Sequence, residues 1–217
     1  MQATGEQSVR VAVGEAVLEG SLTLPAGARG VVLFAHGSGS SRFSPRNRYV
    51  ASVLNWGGLA TLLIDLLTPQ EEERDQRTRQ YRFDIGLLAG RLVGAMDWLT
   101  QTAETGGLRI GLFGASTGAA AALIAAAQQP ALVGAVVSRG GRPDLAGDAL
   151  PHVHAPTLLI VGGADTPVIA LNETALAQLR VEKRLTIIPG ATHLFEEPGA
   201  LEEVARLARD WFLHHLT

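Results

Sequence analysis

The chain has 217 residues, 47% of them apolar, with 18 Lys and Arg against 21 Asp and Glu and no cysteine. That apolar content can bury one full core, and α/β folds of this length are usually undivided, so a single domain over residues 1–217 is expected. Balanced charge without a basic stripe interleaved with aromatics argues against a nucleic-acid partner, and the lack of cysteine excludes a disulfide scaffold, a thiolate nucleophile and thiolate metal sites.

The opening residues, MQATGEQSVR, are polar and lack the apolar core of a signal peptide, and no apolar run is long enough to span a bilayer. A soluble protein of the cytoplasm, with no membrane partner, is therefore expected. Val9–Val13 and Val17–Leu24 flank Gly14-Glu15 with partial alternation and predict an antiparallel hairpin. After it, short apolar runs at Val31–Ala35, Thr61–Asp65, Arg109–Phe113, Val133–Ser138, Thr157–Val161 and Leu185–Ile188 alternate for the most part with helical patterns. Those patterns lie at Tyr49–Asn55, Ile85–Leu99, Ser116–Gln129, Val168–Leu179 and Leu201–Leu216. This rhythm predicts an α/β fold, a mostly parallel sheet of about eight strands with an N-terminal antiparallel hairpin and helices on both faces. In such sheets ligands bind beyond the carboxyl ends of the strands, which directs attention to the residues after each run.

After the third strand, His36-Gly37-Ser38-Gly39-Ser40-Ser41 is a glycine-rich turn whose backbone N–H groups are free to face a ligand. A dinucleotide fingerprint would need a third glycine where Arg42 stands, and no phosphate-binding P-loop pattern occurs, so no cofactor is expected. Thr68–Arg82 (TPQEEERDQRTRQYR) reads as a charged, solvated loop at the same edge. The run Leu108–Phe113 ends in Gly114-Ala115-Ser116-Thr117-Gly118 and passes at once into an alanine-rich helix. This is the strand–turn–helix context of the G-x-S-x-G pattern, in which the serine hydroxyl stands above the sheet edge and the next N–H and the helix dipole face the attacked group. The connection after Ser138 is short, which leaves no room for a helical lid. Asp165 follows the seventh strand and His193 the eighth. Alone, each reads as a local cap or a structural residue; in the order Ser116, Asp165, His193 at one sheet edge they read as nucleophile, acid and base. Asp144, after the preceding strand, is an alternative acid.

Together these segments resemble the α/β-hydrolase superfamily and, within it, the small lidless dienelactone hydrolase-like group. The similarity runs from Val31–Gly37 through Gly114–Gly118 and Val161–Asp165 to Gly190–Phe195. It implies Ser116 as nucleophile, His193 as base, Asp165 as its orienting acid and backbone N–H groups of Ser38 and Thr117 as the oxyanion hole. It also implies hydrolysis of small accessible carboxylic esters, with serine where dienelactone hydrolases proper carry cysteine. The same triad serves acyl transfer to an acceptor other than water, and a binding protein on this scaffold is the non-enzymatic alternative. Arg42, Arg46 and Arg48 follow the third strand and Arg139 and Arg142 the sixth. Of these, Arg42, Arg139 and Arg142 are candidates for holding an anionic substrate, against the alternative of pairing with Asp144, Asp148 and surface carboxylates. His36 reads as a structural residue of its turn. His152 and His154 offer two imidazoles without a third ligand, so no metal site is expected. The C-terminal helix or an edge strand could carry a homodimer contact.

Overall fold

A computed structural model of the protein describes residues 5–217; the first four residues of the polar opening lie outside the described residues. The strands are β1 (Gln7–Val13), β2 (Ala16–Thr23), β3 (Val31–Ala35), β4 (Ala60–Ile64), β5 (Ile110–Ala115), β6 (Val133–Arg139), β7 (Thr157–Gly162) and β8 (Lys183–Ile188). The helices are α1 (Pro45–Trp56), α2 (Pro69–Thr78), α3 (Ile85–Gln101), α4 (Thr117–Gln128), α5 (Thr166–Gln178) and α6 (Ala200–Leu216). The eight strands form one sheet in the order β1-β2-β4-β3-β5-β6-β7-β8. The β1/β2 and β2/β4 pairs are antiparallel and every other pair is parallel. The expected fold, hairpin included, is the observed one.

Strands buried on both faces need a helical layer on each, and the core divides accordingly. Leu33, Leu62, Leu112 and Val136 face Leu92, Met96 and the alanines of α4, while Phe34, Phe113, Val137 and Ile160 face Val50 and Leu54 of α1 and Phe212 of α6. Alanine in α4 lets that helix lie close to the sheet just after the turn that carries Ser116. A 3-10 segment, Pro143–His152, joins β6 to β7, so no helical lid is inserted there.

The segment Thr68–Arg82 departs from expectation. It is not a loop throughout: Pro69–Thr78 is helix α2. Thr68 accepts the Glu71 N–H at 3.2 Å and the Glu71 carboxylate accepts the Thr68 N–H at 2.8 Å, a reciprocal capping box with Pro69 at the first helical position. Asp75, fully buried at 0% exposure, accepts the Tyr81 and Arg82 N–H groups at 2.7 and 3.0 Å and Arg82 Nε at 2.5 Å. Burial opposes ionisation of Asp75, but the Arg82 N–H, the Arg82 guanidinium and the Tyr81 N–H outweigh it and hold the carboxyl below its ordinary range.

Candidate active site

Ser116 stands between β5 and α4 at φ 50°, ψ −123°, a region costing a non-glycine residue about 1–3 kcal/mol. Its surroundings enforce that conformation. The Ser116 N–H donates to the Arg139 carbonyl at 3.3 Å, and its own carbonyl accepts the Ala119 and Arg142 N–H groups at 3.1 and 3.0 Å. The flanking glycines are required by close approach: a Cβ on Gly114 would lie 2.4 Å from the Ala119 Cα, and one on Gly118 would lie 2.3 Å from the Ala35 carbonyl oxygen. Thr117 opens α4, so its N–H has no partner within the helix and points with the helix dipole toward the space in front of Ser116.

Asp165 occupies the N-cap position of α5 but makes no capping bond. Its Oδ2 instead meets His193 Nδ1 at 2.6 Å. The loops that carry the two are joined by the Ala164 N–H donating to the Ala191 carbonyl at 2.9 Å, and the His193 loop is closed on itself by the Thr192 N–H donating to Glu197 Oε2 at 3.0 Å. His193 is partly open to solvent, its side chain 40% exposed. Gly140, two residues before Arg142, joins the halves of the site, since a Cβ there would lie 3.1 Å from the His193 carbonyl oxygen. Ser116 and His193 thus flank the same turn, although no hydrogen bond links Ser116 Oγ to the ring in this geometry. The turn is held from behind by Asn172 of α5, which is fully buried and donates from Nδ2 to the Gly141 carbonyl at 3.0 Å. Sequence reasoning passed over Asn172; its only signal is a polar residue on the covered side of a helix. Asp144, the alternative acid, takes Nε and Nη2 of Arg142, at 2.9 and 2.8 Å.

The structure brings Ser38 and Thr117 together in another manner than expected. The Ser38 N–H donates to Thr117 Oγ1 at 3.1 Å, and the two hydroxyls lie 2.9 Å apart. Ser38 Oγ donates to the Arg82 carbonyl at 3.0 Å, so its proton is committed there and Thr117 must supply the proton between the hydroxyls. The Ser38 N–H, expected at the oxyanion hole, has the Thr117 hydroxyl as its partner in this structure. His36 is structural, as expected: its Nε2 accepts the Leu66 N–H at 3.0 Å, which leaves the proton on Nδ1 to bond the Gly37 carbonyl at 2.9 Å. Burial is the main cause that lowers its pKa below the ordinary 6.5.

The three candidate substrate arginines separate. Arg42 donates its N–H to Asp65 Oδ1 at 2.7 Å and its guanidinium to Asp65 Oδ2, with the guanidinium over the Phe43 ring. Arg142 is forked onto Asp144. Arg42 and Arg142 are thus each paired with a carboxylate, Arg42 through its backbone N–H and one guanidinium nitrogen and Arg142 through a fork. Arg139 is different. It is 8% exposed, touches Asn47 Oδ1 at 3.4 Å and meets no carboxylate, and burial, with Arg46 nearby, pushes its pKa down to about 10. Among the described residues no cluster of three or more His, Cys, Asp or Glu could hold a metal. No helix of the described residues is long and apolar enough to cross a membrane.

A central parallel sheet, a serine on a strained strand-to-helix turn and an Asp–His pair at the same edge define an α/β-hydrolase. The sequence profile of the dienelactone hydrolase family matches residues 18–214. The crystal structure of a dienelactone hydrolase from Anabaena variabilis ATCC 29413 is 69% identical and superposes with a TM-score of 0.97, covering 98% of this chain and 99% of that one. A Mycobacterium tuberculosis (strain ATCC 25618 / H37Rv) protein with the provisional name of a phosphoribosyl transferase is 59% identical over 211 residues, 97% of this chain and 47% of that protein. The chain spans about half the length of the curated relatives it matches. Est1E from Butyrivibrio proteoclasticus shares the fold at 16% identity and a TM-score of 0.80, over 96% of this chain and 98% of that one. The chain belongs to the dienelactone hydrolase family.

Proposed function

We propose that residues 1–217 act as one serine hydrolase domain that cleaves small, accessible carboxylic esters through an acyl-enzyme on Ser116. The observation that carries this reading is the 2.6 Å bond between His193 Nδ1 and Asp165, made by an aspartate that forgoes the helix cap it is placed to provide. Serine is a weak nucleophile at its own pKa and needs a base whose tautomer is fixed by a third group. With Nδ1–H held by Asp165, Nε2 is the free lone pair. It takes the Ser116 proton as Oγ attacks the ester carbonyl, and the negative oxygen is received by the Thr117 N–H at the start of α4. His193 then gives that proton to the departing alcohol. Water, activated by the same Nε2, attacks the acyl carbonyl, releases the acid and returns the proton to Ser116. The lidless edge, with exposed Phe43, Leu145 and Leu194 on the segments that follow β3, β6 and β8, suits a small substrate with an apolar part that enters from solvent.

A fluorophosphonate probe tests the assignment directly. Intact mass should show one adduct, peptide mapping should place it on Ser116, and Ser116→Ala should lower turnover of short 4-nitrophenyl esters by about a million-fold. An adduct elsewhere, or a Ser116→Ala variant that keeps a few per cent of the activity, would refute it.

A further inference from the structure

Outside the triad, the unexplained charge in this molecule is a buried guanidinium. Arg139 ends β6 on the face covered by α1. Its Nη2 reaches only Asn47 Oδ1, at 3.4 Å, and its Nε and Nη1, both buried, meet no acceptor among the described residues. The charge beside it is another cation, Arg46 in the first turn of α1. Arg46 also buries an Nε without an acceptor, while its Nη1 lies 3.3 Å from Glu196, a surface carboxylate 65% exposed. The other nearby carboxylates are committed, Asp65 to Arg42 and Asp144 to Arg142. Two guanidinium groups side by side without a buried counter-ion are unfavourable in the protein alone and favourable around a bound anion.

We propose that Arg139, Arg46 and the N-terminal turn of α1 form a subsite for a phosphate group carried by the substrate. The donors available select a tetrahedral anion. Nε and Nη1 of one guanidinium point to opposite sides of its plane, so one anion meets only one of them, and Arg46 Nε adds a donor from a second plane. A flat carboxylate fills a single fork, as Asp144 does with Nε and Nη2 of Arg142, whereas phosphate oxygens project in three dimensions and carry up to two charges. In the first turn of the twelve-residue helix α1, Pro45 has no N–H and Ser44 Oγ takes that of Asn47, which leaves the Arg46 N–H as the donor at this end. A third of the Arg46 side chain is exposed, so this end of the pair reaches solvent. The subsite adjoins the chemistry, because the Arg139 carbonyl takes the Ser116 N–H and the next residue, Gly140, lies against His193. The identification of its ligand as part of a substrate rests on the reading of Ser116 as nucleophile.

The test separates the two claims. Inorganic phosphate, added at constant ionic strength, should raise the Tm of both the wild type and Ser116→Ala by about 3 °C at concentrations well above Kd. The rise should vanish in Arg46→Gln, a partly exposed position that spares the fold where Arg139→Gln could fail to fold. In turnover, the preference for an acetyl ester bearing a phosphate monoester over its neutral counterpart should fall at least tenfold in Arg46→Gln. No rise with phosphate, an equal rise in Arg46→Gln, or a preference that Arg46→Gln leaves unchanged would overturn the proposal, and an equal rise with acetate would overturn the choice of phosphate. If the fluorophosphonate fails to label Ser116 while the Arg46-dependent rise persists, the hydrolase reading falls and the anion subsite stands.

Discussion

Asp165 and Asp144 are both aspartates just beyond a parallel strand, and what separates them is the partner each has taken. Asp165 leaves α5 uncapped to hold the His193 ring, whereas Asp144 neutralises Arg142 and raises the affinity of that guanidinium for its proton. Asp165→Asn should therefore lower kcat by about ten-thousand-fold, through loss of the fixed tautomer, with KM little changed. Asp144→Asn should leave kcat within about tenfold, since it removes only the fork on Arg142. Comparable kcat losses in the two variants would mean that the acid is misassigned. The order Ser116, Asp165, His193 was legible in the sequence because each of the three follows an apolar run at the same sheet edge. The fates of the arginines were not, because a pair such as Arg42–Asp65 joins residues 23 apart that only the crossover through α1 brings together.

Helix α2 shows how a charged stretch can be structural. Its sequence is too polar to announce a packed helix, and the apolar periodicity that marks α3 and α6 is missing. The readable signal was Thr68-Pro69-Gln70-Glu71, a capping box with proline at the first helical position. What α2 does for the site passes through Asp75, which fixes Arg82, whose carbonyl in turn accepts Ser38 Oγ behind Thr117. Asp75→Ala would strand two backbone N–H groups and a guanidinium, at a cost of about 3 kcal/mol. Chemical denaturation should record that loss, and kcat on short esters should fall with it as the Ser38 turn loosens. Lost stability with kcat unchanged would show that the turn beside Thr117 does not depend on α2. Buried Asn47 and Asn172 belong to the same lesson: asparagine reads as surface in a sequence, and only packing reveals it as a strut.

For the molecule as a whole, His36 couples the sheet edge to pH. Its neutral ring accepts the Leu66 N–H, so protonation would set a donor against a donor in a buried place. The folded pKa lies below the ordinary 6.5, so between the two values the unfolded chain binds more protons. The stability this histidine contributes is thus complete above pH 6.5 and is lost as the pH falls through the folded value. A plot of Tm against pH should decline below that point for the wild type and flatten in His36→Gln; parallel curves would place the acid sensitivity elsewhere. The sheet and its helical layers were legible in the sequence at this scale, since alternating apolar runs and helical periods leave few other arrangements for a chain of this length.

Leu216, at the end of α6, packs where side chains on Gly30 and Gly134 would stand, and Phe212 does the same over Gly111. The glycine floor beneath α6 lies just ahead of β3 and within β5 and β6, and remains uncovered until that helix has been made. A polypeptide emerging from the ribosome presents Ser116 some eighty residues before His193, which arrives with the loop ahead of α6. The order of synthesis thus leaves Ser116 on a sheet with one face still open, and that face is covered only when α6 packs onto the glycines.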